Sequence, residues 1–335
     1  MEMLAPLTNA SNHDNSYWIA MPTLPTILVT GSSGLIGSSI VERLGGTHQI
    51  IGLDLDEPRD RPPQNFHFIQ TDLTSDDSVA RAVAEAKERS QGELASVIHL
   101  AAYYDFSGEP SPLYQQVTVE GTRRLIDALR DAPPQQFIFS STMLVHAPGE
   151  PGEKMNEDWP IDPKWDYPRS KVETEQLLIE QRGEMPVVLL RIAGVYDDDC
   201  HSIPLARQMQ RIRERRATSK VYPGDLKCGQ SFLHLDDLVD AIQCTVEKRG
   251  DLSPVQPLLI GEPQTVSYGT LQEELGKLIH GEKWETKSIP KTVAKTGAWV
   301  QDKLPIVDDP FIKPWMIDLA DDHYDLDISK ARQQL

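Results

Sequence analysis

Tyr167 and Lys171 stand four residues apart, a spacing that puts both side chains on one face of a helix. Pro168 between them suits a helix's first turn. A phenol near its reference pKa of about 10 is a poor base at neutral pH. A neighbouring ammonium favours the phenolate and draws that value down. Such a tyrosine can take a proton from a substrate hydroxyl, or return it, while a hydride moves elsewhere.

A hydride needs an acceptor, and the stretch Ile27 to Gly37 reads as a place to hold one. The apolar run Ile27 to Thr30 predicts a buried strand. Gly31, Gly34 and Gly37 then precede an apolar-periodic segment with Leu35, Ile36, Ile40, Val41 and Leu44. In a strand–turn–helix context, the first glycine permits the turn and the second lets backbone approach a pyrophosphate. The third lets helix pack on strand, and the helix N-terminus faces the phosphates. A second strand, Gln49 to Asp54, ends on a carboxylate 23 residues after Gly31, where a ribose diol is bound in dinucleotide folds. Leu55 rather than an arginine follows it, which favours NAD over NADP. Asp72, after a third strand at Phe66 to Gln70, either pairs with the adenine amino group or caps the helix beginning near Ser75.

The elements that position these residues alternate. Ser78 to Lys87 predicts a helix with Val79, Ala82, Val83 and Ala86 on one face. Ala95 to Ala102 is a fourth strand, Leu113 to Leu129 a helix, Gln136 to Ser141 a fifth strand and Val187 to Ile192 a sixth. That order predicts an α/β protein with a doubly wound parallel sheet. Residues 147–166, rich in proline and acids, form a long loop expected to wall the site. A smaller substrate-binding domain is expected mainly in residues 194–335. The dinucleotide domain spans 25–193 and regains residues about 231–261. Residues 203–216 predict a basic helix with Arg207, Arg211, Arg213, Arg215 and Arg216, read as a solvated face rather than a contact for an anionic substrate.

Composition narrows the partners. With 51 acidic against 33 basic residues the formal charge is −18, which disfavours nucleic acid and anionic membrane. Three cysteines without paired spacing predict a reducing, cytoplasmic compartment, with no disulfide framework and no zinc. No apolar run spans a bilayer. Residues 1–24 hold no Lys or Arg and are expected to be a mobile tail, with Tyr17 and Trp18 not docked. Asp321, Asp322, His323, Asp325 and Asp327 match no metal ligand set, and surface roles are expected for His201 and His234.

Together these stretches resemble the extended short-chain dehydrogenase/reductases, the NAD-dependent epimerase/dehydratase family. Thr30-Gly31-Ser32-Ser33-Gly34-Leu35-Ile36-Gly37 is similar to its Thr-Gly-x-x-Gly-x-x-Gly fingerprint, and His99-Leu100-Ala101-Ala102 to its strand-four motif. Ser140-Ser141-Thr142 with Val145 resembles the segment bearing the catalytic Ser/Thr, 25 residues before Tyr167. The resemblance implies a Rossmann-type domain with a smaller C-terminal domain. Tyr167 would be the general acid/base, Lys171 the ribose-holding lysine and Thr142 the donor to the reacting oxygen. It implies NAD contacts at Gly31, Ser33, Gly34, Leu35, Ile36, Gly37, Asp54, Asp72 and Leu73. Further contacts fall at Leu100, Ala101, Ala102, Thr118, Ser140 and Ile192, besides Tyr167 and Lys171. It also implies a homodimer through the helices bearing Thr118 and Tyr167.

Departures from the family pattern bear on substrate. Thr118 replaces a frequent asparagine, and Val145-His146-Ala147 replaces Val-Tyr-Gly, leaving an imidazole toward the nicotinamide end. Gly194 and Gln230 stand where nucleotide-sugar enzymes carry an asparagine and an arginine. Thr142-Met143-Leu144 lacks the Asp-Glu of sugar dehydratases. Tyr103, Tyr104, Phe106, Met143 and Trp165 are candidates for an apolar pocket. The expected function is reversible, NAD-dependent hydride transfer at a secondary alcohol or ketone of a small molecule. A UDP-sugar 4-epimerase is the alternative, and a non-catalytic NAD-binding regulator the second.

Overall fold

The computed structural model describes residues 24–105, 109–296 and 314–335. The predicted tail, apart from Leu24, and Phe106 lie outside the described residues. Six strands lead: β1 (Thr26–Thr30), β2 (Gln49–Asp54), β3 (Phe66–Gln70), β4 (Leu94–His99), β5 (Phe137–Thr142) and β6 (Val187–Ile192). Four short strands follow, β7 (Gly194–Tyr196), β8 (Val221–Tyr222), β9 (Gly229–Gln230) and β10 (Phe232–His234), before β11 (Val255–Ile260). The large sheet has the order β11-β6-β5-β4-β1-β2-β3, with its strands parallel. Its order reverses between β1 and β4, and the crevice outside such a reversal is where doubly wound folds bind ligands.

Alternation along β1 shows why the sheet needs helices on both faces. Ile27 and Val29 pack with α1 (Leu35–Leu44) and α6 (Leu235–Glu247), through Ile40, Val41, Leu238 and Ile242. Leu28 points the other way, against α2 (Asp76–Arg89), α3 (Glu120–Leu129) and α4 (Asp166–Gln181). In α2 the face Val79, Ala82, Val83 and Ala86 is buried, as its spacing predicts. Ser75 caps that helix by accepting from Ser78 N, so Asp72 is not its cap. Asp72 instead folds the preceding turn, its Oδ1 accepting from the N and Oγ1 of Thr74.

Two boundaries differ from the sequence reading. β4 stops at His99, because Leu100 N and Ala101 N turn onto the O and Oγ1 of Thr30. The helix expected from Leu113 begins as a π-helical segment, Tyr114–Val119, before α3. Such widened turns are frequent at functional sites, and this one places Thr118 Oγ1 3.1 Å from Tyr103 N. Beyond β6 and β7 lie α5 (Ile203–Arg213) and α7 (Tyr268–His280), with β8, β9 and β10 between them in the chain. The loop 147–166 is held by isolated bridges from Gly149 to His323 and Met155 to Leu326. No described helix is long and apolar enough to cross a membrane.

Candidate active site

The turn after β1 is built from three differently constrained glycines. Gly31 has φ +72° and sits where a Cβ would lie 3.0 Å from Ala101 N. At Gly37 a Cβ would lie 2.0 Å from Gly31 O, so helix and turn touch through bare backbone. Gly34 is free of both constraints: its φ is −76°, and a Cβ would meet Gly31 O at an ordinary 3.4 Å. The α1 N-terminus has no side-chain cap and no acid in its first turn, leaving its first N–H groups for an anion. Asp54 accepts from Ser33 N at 2.9 Å and Leu55 N at 2.7 Å, which fixes the carboxylate at the β2 end. A dinucleotide fits this cradle, because the space beside Gly34 is room the protein itself does not need. Gly34→Ala is therefore expected to leave the melting temperature of the NAD-free protein nearly unchanged and weaken NAD about tenfold. Gly37→Ala is expected to cost at least about 1–3 kcal/mol of stability. Thermal melts and NAD titration of both variants check the contrast.

Behind the turn, a polar chain holds the end of β4. Thr122 Oγ1 donates to Thr118 O, so it accepts from His99 Nε2 at 2.8 Å. His99 Nδ1 then accepts from Thr30 Oγ1 at 2.6 Å. Burial and the Lys171 charge push His99 down to about 3, as a neutral ring with this fixed tautomer requires.

Thr142, Tyr167 and Lys171 come from the end of β5 and the first turns of α4. Trp165, extended at φ −148°, turns the chain into α4. Lys171 is 2% exposed, and its Nζ donates to Ser140 O at 2.6 Å and lies 5.7 Å from the Tyr167 ring centre. Thr142 Oγ1 accepts from Leu144 N at 3.3 Å, which leaves its O–H to donate. Tyr104 meets the Tyr167 ring edge-on at 4.6 Å, and Trp165 lies 5.4 Å from it. Burial holds the Tyr167 phenol well above its ordinary range, and pushes Lys171 down to about 7 against the opposing charge of Glu175.

The depressed Lys171 value has a consequence for stability. Between about pH 7 and the ordinary lysine range the unfolded chain holds a proton that the folded chain has released. Stability therefore rises with pH across that window. Urea unfolding at pH 7 and 8.5 is expected to show a shallower rise in Lys171→Met than in the native protein. Equal rises would contradict it.

Under the site lies a buried ion pair. Arg191 on β6 donates from Nε and Nη2 to Glu175 at 3.1 and 2.8 Å, and from Nη1 to Glu157 O at 2.8 Å. Ser141 Oγ donates to Glu175 Oε1 at 2.5 Å. His146 Nδ1 donates to Trp159 O, so its bare Nε2 accepts from Arg191 Nη1 at 3.1 Å. Burial and Arg191 push His146 down to about 4.

A cavity of about 280 Å³ opens beside these elements, walled largely by Trp165, Leu205, Phe232, Tyr268, Trp315 and Ile317. Leu144 also lines it, so it reaches the segments that carry Thr142 and Tyr167. Among the described residues no group of three or more His, Cys, Asp or Glu could hold a metal ion.

The model of the NAD dependent epimerase/dehydratase family matches residues 27–261. The chain belongs to that family. Family relatives include mouse 3 beta-hydroxysteroid dehydrogenase type 7, 30% identical over 235 residues, or 64% of this chain and 61% of the relative. UDP-glucose 4-epimerase of Streptomyces lividans is 27% identical over 243 residues, 66% of this chain and 71% of that one. The match thus spans about three fifths of the length of the steroid dehydrogenase. Among solved structures, the Bacillus cereus UDP-glucuronic acid 4-epimerase in complex with UDP-glucuronic acid and NAD shares the fold. Its TM-score is 0.67 at 21% identity, covering 92% of each chain.

Several positions singled out from family motifs have other surroundings in the structure. His146 ends the 3₁₀ turn Met143–Val145 and is fully buried on Arg191 and Trp159 rather than facing a ligand. Met143 is 2% exposed and packs in the core. Thr118 is fully buried with its hydroxyl engaged by Tyr103 N. Leu73 is buried against Gly121, and Ile192 lies in the core of the sheet. Tyr103 stacks edge-on against Tyr114 at 4.8 Å. Gly194 leaves room for the Phe232 ring, which a Cβ would approach to 3.1 Å, while Gln230 lines the cavity. His201 pairs with Asp197 at 2.5 Å at the surface, and His234 caps α6. Glu175, Arg191 and Ser141 were not singled out from the sequence. The signal available was Glu175 falling four residues after Lys171 and a lone arginine inside the apolar run Val187 to Ile192.

Proposed function

We propose that this chain is an NAD-dependent dehydrogenase or reductase that acts on a secondary alcohol or ketone carried by an apolar body. The observation that carries this reading is the aromatic and aliphatic cavity adjoining the Tyr167 and Thr142 segments. The relatedness to a 3 beta-hydroxysteroid dehydrogenase points the same way.

Asp54 would hold the adenosine ribose, the α1 N-terminus and Gly34 the diphosphate, and Lys171 the nicotinamide ribose. When bound, NAD supplies the acceptor for a hydride leaving the alcohol carbon, and NADH the donor in reverse. Thr142 O–H donates to the reacting oxygen and holds it toward Tyr167. Tyr167 takes the hydroxyl proton during oxidation and gives it back during reduction. Burial keeps this tyrosine protonated, so it is ready as an acid. As a base it needs nearby positive charge, which Lys171 supplies most fully below about pH 7. The aromatic wall around Tyr167 keeps water from competing for that proton.

The UDP-sugar 4-epimerase reading is favoured by the solved structures of the same fold and by the Streptomyces relative. Incubation with NAD and either dehydroepiandrosterone or UDP-glucose separates the two. Net NADH accumulation with the steroid is the expected result. UDP-galactose formed without net NADH would replace the proposal with the epimerase. NAD binding with turnover of neither would leave the regulator. A homodimer in a reducing, cytoplasmic compartment completes the proposal. The three cysteines are free, and light scattering is expected to give twice the chain mass.

A further inference from the structure

Five arginines lie on or just beyond α5, and most face solvent with partners. Arg215 pairs with Glu282 at 2.6 Å and Arg216 with Glu214 at 2.5 Å. Arg211 differs, because it lines the cavity. Its Nη2 donates to Gln208 Oε1, while its Nε is buried with no acceptor among the described residues. Across the same cavity wall Gln272, on α7 and 4% exposed, has a buried Oε1 with no donor among the described residues. No described carboxylate pairs with Arg211, and burial and the Arg216 charge both push its guanidinium below the usual arginine range.

A buried cation without a counter-charge is costly, and so is a buried amide oxygen left unpaired. Arg211 is half-buried and Gln272 buried, and both residues line a space that a ligand would fill. We propose that Arg211 and Gln272 are the anchor for a carboxylate on the substrate, at a position other than its reacting oxygen. The guanidinium fork suits a planar carboxylate better than a point charge would, and the Gln272 amide offers an N–H donor to the same anion. Asp322 also lines the cavity, but no hydrogen bond or ion pair among the described residues joins it to Arg211. The substrate class is then an apolar hydroxy acid or oxo acid. This rests on the dehydrogenase reading above and goes further by naming a second polar group.

The test uses the NAD-loaded protein with 3β-hydroxy-5-cholenoic acid and its methyl ester, which share the sterol body and differ in the charge and one methyl group. The acid is expected to show a kcat/KM at least tenfold above the ester, mostly through KM. In Arg211→Met, which keeps the length of the stem, the ratio should fall to about one. In Arg211→Lys it should be partly kept. An acid without advantage in the native protein, with the ester turned over, overturns the anchor and leaves the dehydrogenase reading standing. An advantage that survives Arg211→Met also overturns it. Turnover of neither compound, with NAD bound, overturns both. In the absence of ligand, Arg211→Met is expected to melt at or above the native temperature. A drop of several degrees would mean that Arg211 is there for the fold.

Discussion

Tyr167→Phe is expected to lower kcat by about 10²- to 10⁴-fold, the range that a positioned acid/base contributes. The phenylalanine keeps the ring that packs edge-on against Tyr104 and beside Trp165, so only the hydroxyl is lost. Melting temperature should stay close to native, and NAD affinity should change no more than a few-fold. The loss therefore has to appear in kcat rather than in folding or cofactor binding. Steady-state kinetics with the alcohol that turns over, alongside NAD titration, make that separation. A variant keeping more than a tenth of native kcat would remove Tyr167 from the proton transfer.

The largest expected loss of stability lies one layer below. Arg191→Met leaves Glu175 buried, accepting from Ser141 alone of its two former partners. Breaking such a pair from one side costs about 3–5 kcal/mol. Replacing both partners, Glu175→Leu with Arg191→Met, removes both charges and should recover a large part of that loss. Urea unfolding of the single and double variants gives the coupling directly. Strictly additive losses would show that the two side chains act independently. The same pair bears on chemistry, because Glu175 holds Lys171 up against burial. In Glu175→Gln the lysine should deprotonate below about pH 7, moving the limb of the pH–rate profile that depends on its charge to lower pH.

Local chemistry made much of this protein legible from its sequence. The glycine turn, the strand ending at Asp54, the buried face of α2 and the Tyr167–Lys171 pair all depend on neighbours a few residues away. Backbone periodicity fixes such neighbours before any tertiary contact forms. The same holds for the order of strands and helices, which by itself points to a parallel doubly wound sheet. Tertiary structure decided what the polar side chains face. His146 reads as a ligand-side imidazole until Arg191, 45 residues on, is found donating to it. Met143 reads as pocket until the core closes over it. Arg211 reads as one charge of a solvated helix until α7 packs beside α5 and turns it onto a cavity. Helical or strand spacing says which residues share a face. It does not say whether that face meets water, core or ligand, because the answer is set by segments distant in the chain whose packing exists only after folding.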